Sequence, residues 1–288
     1  MSIRIEVNPS NPGQFFACCG LLELADRLWN GAEGAFSSSG IEFSLSRRSG
    51  SGEADANVLL GKLGACAITS TMTDEQIATL KKLLNQKKAS LTSQQLSEKQ
   101  DLSELWGRER LRLHDPFNIW IDWWGDENTG GNKFKTWAGK QFVLDLVRGL
   151  QAPIGSDAWF SLPMAEWLNQ ASSDRNLPLY FDSDIGGQSS SRDAGFSMDT
   201  LEIRSRTKPL TELAALVGLQ RFRPYPANRG DSFCYVQWTE PLPPILAAVA
   251  CSGRLPQRGA RTFVFRILYR TKYLKSFLTA APQGGLNK

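Results

Sequence analysis

The sequence predicts an α+β protein: a ferredoxin-like βαββαβ core, a helical insertion, and a basic C-terminal α/β portion. Three observations predict it. Short stretches with strand-like alternation or β-branched, aromatic runs fall at Ser2–Val7, Ile41–Leu45, Phe117–Trp124 and Leu177–Phe181. Helix-patterned stretches separate the first from the second and the third from the fourth, which is the element order of a ferredoxin-like unit. The charge also changes sign along the chain. Residues 1–200 carry 19 Lys/Arg against 25 Asp/Glu (−6), whereas residues 201–288 carry 14 against 4 (+10). The resulting division is 1–53 and 114–185 for the core, 54–113 for the insertion and 186–288 for the basic portion.

In order, Ser2–Val7 puts Ile3, Ile5 and Val7 on one face of a first strand. Asn11-Pro12 supplies an N-cap and a first-turn proline, and Asn30-Gly31 stops the helix after Trp29. Phe15 to Leu22 is apolar nearly all round, so this helix is expected to be buried on more than one side. Ile41–Leu45 is the second strand. Arg47–Gly52 reads as a surface connection.

From Ala54 to about Leu113 the pattern is helical. Thr73 and Gln76 form a capping-box signature ahead of Ile77, Leu80 and Leu84. Ser93–Lys99 is polar and reads as a mobile link, and Leu102, Leu105, Trp106 and Arg110–Leu113 resume the helical pattern. Phe117–Trp124 then gives the third strand, with Trp120 assigned to the core. A helix begins at Trp137 or Ala138, and Leu177–Phe181 is a strand. In the basic portion, Met198–Arg206, Phe233–Trp238 and Phe263–Tyr269 read as strands, the last of them final. Pro209 to Gly218 and Pro243 to Ala250 read as helices, and Gln283–Lys288 reads as a disordered tail.

Composition limits the chemistry. The five cysteines are odd in number and scattered, with no CxxC, so neither a disulfide framework nor a zinc site is expected. Cys18 and Cys19 read as small core residues. The one histidine, His114, has no nucleophile near it in sequence. No phosphate-binding GxxxxGK[ST], GxGxxG or GxSxG motif occurs. The expectation is a protein that is not an enzyme and takes no cofactor and no metal. The competing enzymatic reading is a metal-dependent nuclease using Asp182, Asp184 and Asp193. No run approaches the roughly 20 apolar residues of a bilayer span, and no apolar signal core follows Met1, so a cytoplasmic location is expected.

An arginine-rich C-terminal third suggests a polyanion partner. The stretch from Asn132 to Gln141 interleaves cations with an aromatic after a Gly130-Gly131 break, a pattern used to hold single strands. Lys133, Lys135 and Lys140 are the candidate phosphate contacts there. Asn132 and Gln141 are candidates to reach a base edge, and Trp137 to wedge or stack. Arg192, Arg204, Arg206, Arg221, Arg223, Arg266 and Arg270 are the candidates to line a nucleic-acid path.

Four segments together resemble a known family. They are Asn8–Trp29 (NPSNPGQFFACCGLLELADRLW), Ile121–Gln141 (IDWWGD…KTWAGKQ), Arg192–Arg206 (RDAGFSMDTLEIRSR) and Glu212–Pro224 (ELAALVGLQRFRP). The chain resembles a small Csb/Csx-type subunit of type I-U (I-G) CRISPR effector systems, and its opening helix is similar to the start of large-subunit families. The resemblance implies a non-catalytic component of a Cascade-like ribonucleoprotein complex in antiviral defence. Its implied partners are guide RNA, target DNA, other Cascade subunits and a helicase-nuclease, with no membrane. Its implied roles are guide and target binding, PAM recognition and nuclease recruitment. The βαββαβ order instead resembles the RRM-like backbone subunits that coat the guide RNA, which is the alternative subunit assignment.

Overall fold

A computed structural model describes residues 2–48, 55–122, 142–172, 178–186, 206–227, 232–270 and 273–283. It is a mixed α+β protein with several small antiparallel sheets. The centre is a pair of helices, α1 (Pro12–Trp29) and a much later one, α8 (Pro209–Gly218). Both are buried along nearly their whole length. They approach backbone to backbone: a Cβ at Gly20 would collide with the Ala214 carbonyl oxygen, and one at Gly218 with that of Phe16. Only glycine permits so close a crossing. Cys18 and Cys19 are fully buried in α1, and burial pushes both thiols well above their ordinary pKa.

The first sheet lies against α1. It contains β1 (Ile3–Glu6), β2 (Ala32–Phe36) and β3 (Glu42–Arg47) in the order β1-β3-β2, all antiparallel. Strand β2 follows directly on the predicted helix stop, where Asn30 takes the left-handed conformation, and sequence periodicity did not reveal it. The third and fourth predicted core strands do not join this sheet. Leu179 to Asp182 is not a strand: Tyr180 has φ +64°, and the Phe181 and Asp182 amides donate to the Glu212 carboxylate at 3.2 and 3.1 Å rather than to a neighbouring strand.

The stretch read as wholly helical holds α2 (Ala56–Ala65), α3 (Asp74–Asn85) and α4 (Ser93–Gly107), and it also contains two strands. The capping box at Thr73 and Gln76 is present. A second one, Thr92 with Gln95, starts α4, so the expected link at Ser93–Lys99 is helix. Tertiary packing completes α4, since Leu102 and Trp106 are buried and Trp106 stacks on Phe142. Strands β4 (Ile68–Ser70), β5 (Leu111–Leu113) and β6 (Ile119–Ile121) form a second antiparallel sheet in that order. Leu111–Leu113 is therefore strand where helix was expected. The predicted third core strand is β6, and it belongs to this second sheet.

Helix α5 (Val143–Gln151) follows, then short α6 (Asp157–Phe160) and α7 (Ser183–Gly186), and α8 docks on α1. Strands β7 (Tyr225–Pro226), β8 (Ser232–Gln237), β9 (Arg261–Arg270), β10 (Tyr273–Phe277) and β11 (Ala281–Pro282) build the third sheet. Helix α9 (Pro244–Cys251) crosses between β8 and β9. β9 is long and alternates, with Phe263, Phe265 and Ile267 inward and Arg266 outward, as its sequence predicts, but β10 and β11 follow it. Phe15, Phe16, Tyr235, Phe265 and Phe277 interlock their rings between α1 and this sheet at centroid distances of 4.2 to 6.3 Å. One apolar cluster runs from Ile3 to Ala280.

Candidate nucleic-acid interface

The sequence offers two groups of polar residues, and the structure adds a third that the sequence reading places elsewhere. The structure treats them differently.

The carboxylates of the nuclease reading lie at the turn that closes over the start of α1. Asp182 is fully buried. Its Oδ1 accepts from Asn11 Nδ2 at 2.5 Å and from the Asp184 amide at 3.1 Å. Lys208 Nζ sits 3.1 Å from Asp182 and 2.8 Å from Asp184. Burial opposes the Lys208 charge, yet Asp182 and Asp184 outweigh it and raise its pKa. Asn11 meanwhile caps α1 through the Gly13 and Gln14 amides and also accepts from the Ser183 amide. The ammonium thus occupies the place where a cation would be held between the two carboxylates. Asp193 lies outside the described residues. Among the described residues, no three His, Cys, Asp or Glu side chains cluster as a metal-holding group.

The second group is the predicted phosphate contacts. Asn132, Lys133, Lys135, Trp137, Lys140, Gln141, Arg192 and Arg204 lie outside the described residues, as does the side chain of Arg270. Arg221 is committed within the protein: its Nε and Nη2 donate to the two Glu23 oxygens at 2.5 and 3.1 Å. Glu23 also accepts from Arg27 at 2.9 Å. Burial alone would raise Glu23, but the two guanidiniums prevail and hold its carboxyl below the usual range. Arg206, Arg223 and Arg266 are exposed, and so are Arg254, Arg258 and Arg261 around the turn that leads into β9. The carboxylates are fewer there, and Glu212 is fully buried on backbone amides. The described surface of the C-terminal third is therefore cationic.

The third group is one that sequence reasoning placed wrongly. Trp120 is not core; it is 45% exposed. In β6 its neighbours Ile119 and Ile121 are buried, so the alternation of a strand turns Trp120 outward. Its cross-strand partner is Arg112, whose partner on β4 is Thr69, which makes a single outward row across the sheet. The Arg110 and Arg112 guanidiniums lie 5.0 and 5.4 Å from the Trp120 ring centroid, within cation–π range. Arg110 also pairs with Asp122 at 2.9 Å, and Arg112 donates to Asn118 Oδ1 at 3.3 Å. His114 Nε2 and Thr69 Oγ1 share a hydrogen bond of 2.8 Å at the far end of the face. The sheet is pinned from below. Gln220 exchanges hydrogen bonds with the Asp122 amide and carbonyl, and Arg27 donates to the Phe117 and Asn118 carbonyls. The overlooked signal was local: Arg110-Leu111-Arg112-Leu113-His114 has period two, and so pairs naturally with Ile119-Trp120-Ile121.

A cleft of about 560 Å³ lies at the edge of the first sheet, bordered by Glu6, Asn8, Gln14, Ser37, Glu42 and Asn169 among others. Gln14 bridges it, accepting from the Asn8 amide and donating to Asn169. No helix among the described residues is long and apolar enough to cross a membrane. Comparison with protein-family models, with curated proteins and with solved structures finds no match to this chain.

Proposed function

We propose that this chain is a non-catalytic nucleic-acid-binding subunit of a type I CRISPR surveillance complex, large-subunit-like in role. The nucleic-acid half of this reading is carried by one observation: the exposed arginines Arg206, Arg223, Arg254, Arg258, Arg261 and Arg266 in a portion whose Glu212 is buried. Arginine at such density suits phosphate. The CRISPR half is supported by the four resembling segments, one of which supplies α1 and another α8. On this reading Lys133, Lys135 and Lys140 add phosphate contacts. Contacts with sister subunits and a helicase-nuclease are supported by Ile245, Leu246 and Val249, which α9 leaves 66%, 46% and 39% exposed.

A backbone-subunit role on the guide RNA is the second reading, favoured by the β1-β3-β2 order. A ferredoxin- or RRM-like unit lays down β1, α1, β2 and β3 in that arrangement, and α8 beside α1 stands where its second helix would. The nuclease reading is disfavoured, because the Lys208 ammonium already sits between Asp182 and Asp184.

The test is binding to guide RNA and to duplex DNA as a function of salt. The expected result is a steep loss of affinity with salt, with a log–log slope of about −0.9 per phosphate neutralised on duplex. An affinity indifferent to salt sinks the nucleic-acid reading. Cleavage of labelled DNA with Mg²⁺ that disappears in Asp184→Ala sinks the non-catalytic one.

A further inference from the structure

We propose that the outer face of the β4–β5–β6 sheet is a binding site for single-stranded RNA, with Trp120 as the stacking platform and Arg110 and Arg112 as its cations. This rests on the nucleic-acid reading above, but it names a place to which the charge distribution does not point, since the face lies in the acidic part of the chain.

Trp120 is exposed at a position where folding does not need a tryptophan. Ile119 and Ile121 bury the other face of β6, so the outward position could carry any polar residue without loss to the core. The ring is also held in place. Two guanidiniums lie over it, and the strand beneath is fastened to α1 by Arg27 and to the end of α8 by Gln220. A flat aromatic on a rigid sheet loses little freedom when a base stacks on it, and every base has such a face to offer. Arginines beside the ring can stack on a neighbouring base or turn to a phosphate.

The geometry selects a single strand. In a duplex both faces of a base are covered by its neighbours, whereas splayed bases can settle on an aromatic platform. The row from Thr69 through Arg112 to Trp120 spans two strand spacings, about 10 Å. That is room for about one nucleotide and the phosphate beside it. The hydrogen-bonding pair of Thr69 and His114, next to Arg112, suits a ribose hydroxyl, the group that distinguishes RNA from DNA.

Charge is modest here, because Asp122 offsets Arg110. Stacking, not counterion release, is therefore the main attraction at this face. That separates it from the C-terminal arginines, whose contribution is carried by salt dependence.

The experiment measures binding of the full-length protein to a short oligouridine, to the matching oligodeoxyuridine and to an RNA duplex, each across a salt series. Trp120→Ala is expected to weaken oligouridine binding about 10-fold, with an unchanged salt slope and a melting temperature lowered by no more than about 3 °C. Trp120→Phe keeps a ring and is expected to retain most of the affinity. An Arg254→Gln/Arg258→Gln variant is expected to flatten the slope instead. Wild-type affinity in Trp120→Ala, equal affinity for the deoxy strand, or a preference for duplex each overturns the proposal. If the arginine variant flattens the slope while Trp120→Ala changes nothing, this site falls and the broader reading stands. If the wild-type protein binds no RNA, this site falls, and if it binds no DNA either, both fall.

Discussion

The turn at residues 180–184 and the outer face of β4–β5–β6 are both clusters of polar side chains, but only the turn looks in the sequence like a place for chemistry. They differ in where their partners come from. At the turn every charge is answered from within: Lys208 for Asp182 and Asp184, Asn11 for Asp182, and backbone amides for Glu212. On the sheet the row ends in a large aromatic surface that faces outward. The lesson is that a buried polar network fixes structure, while a rigid, open and half-charged surface is left for something else to cover.

Substitution can break this contrast, and the largest effect is expected at the turn. Asp182→Ala takes the buried carboxylate away from Lys208, which keeps Asp184, and leaves the Asn11 amide without its acceptor, so a loss of about 3 kcal/mol is expected. Urea denaturation reads it. A near-neutral result would mean that the network is not structural and would reopen the cluster as a site. The next largest is expected at Glu23, also answered from within. Glu23→Gln should cost about 1–3 kcal/mol near neutrality. Because Glu23 has a depressed pKa in the folded protein, its contribution is fully present above the unfolded carboxylate pKa and is lost as pH falls through the folded one. The variant's stability should therefore fall less on acidification than the wild type's, as melts at descending pH would show.

On the open side, Trp120→Ala should cost about 1 kcal/mol of stability or less, since it removes surface contacts only. A much larger loss would make Trp120 a structural residue after all. The smallest expected effect is Arg258→Gln, within about 0.5 kcal/mol for folding. It should lower the steepness of the salt dependence of nucleic-acid binding by about one. A binding curve with unaltered steepness would remove Arg258 from the phosphate path.

The sequence was readable where structure is local. Asn11-Pro12 and Thr73-x-x-Gln76 carry their hydrogen bonds within a turn, and the structure has both. The alternation of Phe263–Tyr269 marks β9 because each second residue faces the aromatic core. It was less readable where partners are distant. Ala32–Ala35 holds only Ala, Glu and Gly, residues with little strand preference, and pairing with β3 is what makes Ala32–Phe36 the strand β2. Leu179–Phe181 has strand-like residues, but the buried Glu212 carboxylate draws its amides aside. Trp120 was misplaced because its apolar neighbours hide which face it takes. Only the pairing of Leu111 and Leu113 with Ile121 and Ile119 settles that, and the pairing belongs to a strand that had been read as helix.

The contact between α1 and α8 has a consequence for how the chain is made. The two helices that fit backbone to backbone at Gly20 and Gly218 lie far apart in the sequence. On a ribosome adding about 5–20 residues per second, residues 12–29 would wait roughly 10–40 s for residues 209–218. During that interval the stretch from Phe16 to Gly20, which meets α8 in the folded protein, has no helix to lie against. Slow loop closure of this kind sets the pace of folding. The nascent chain therefore carries a long-lived apolar segment, and whatever holds such segments in the cell has that interval in which to act.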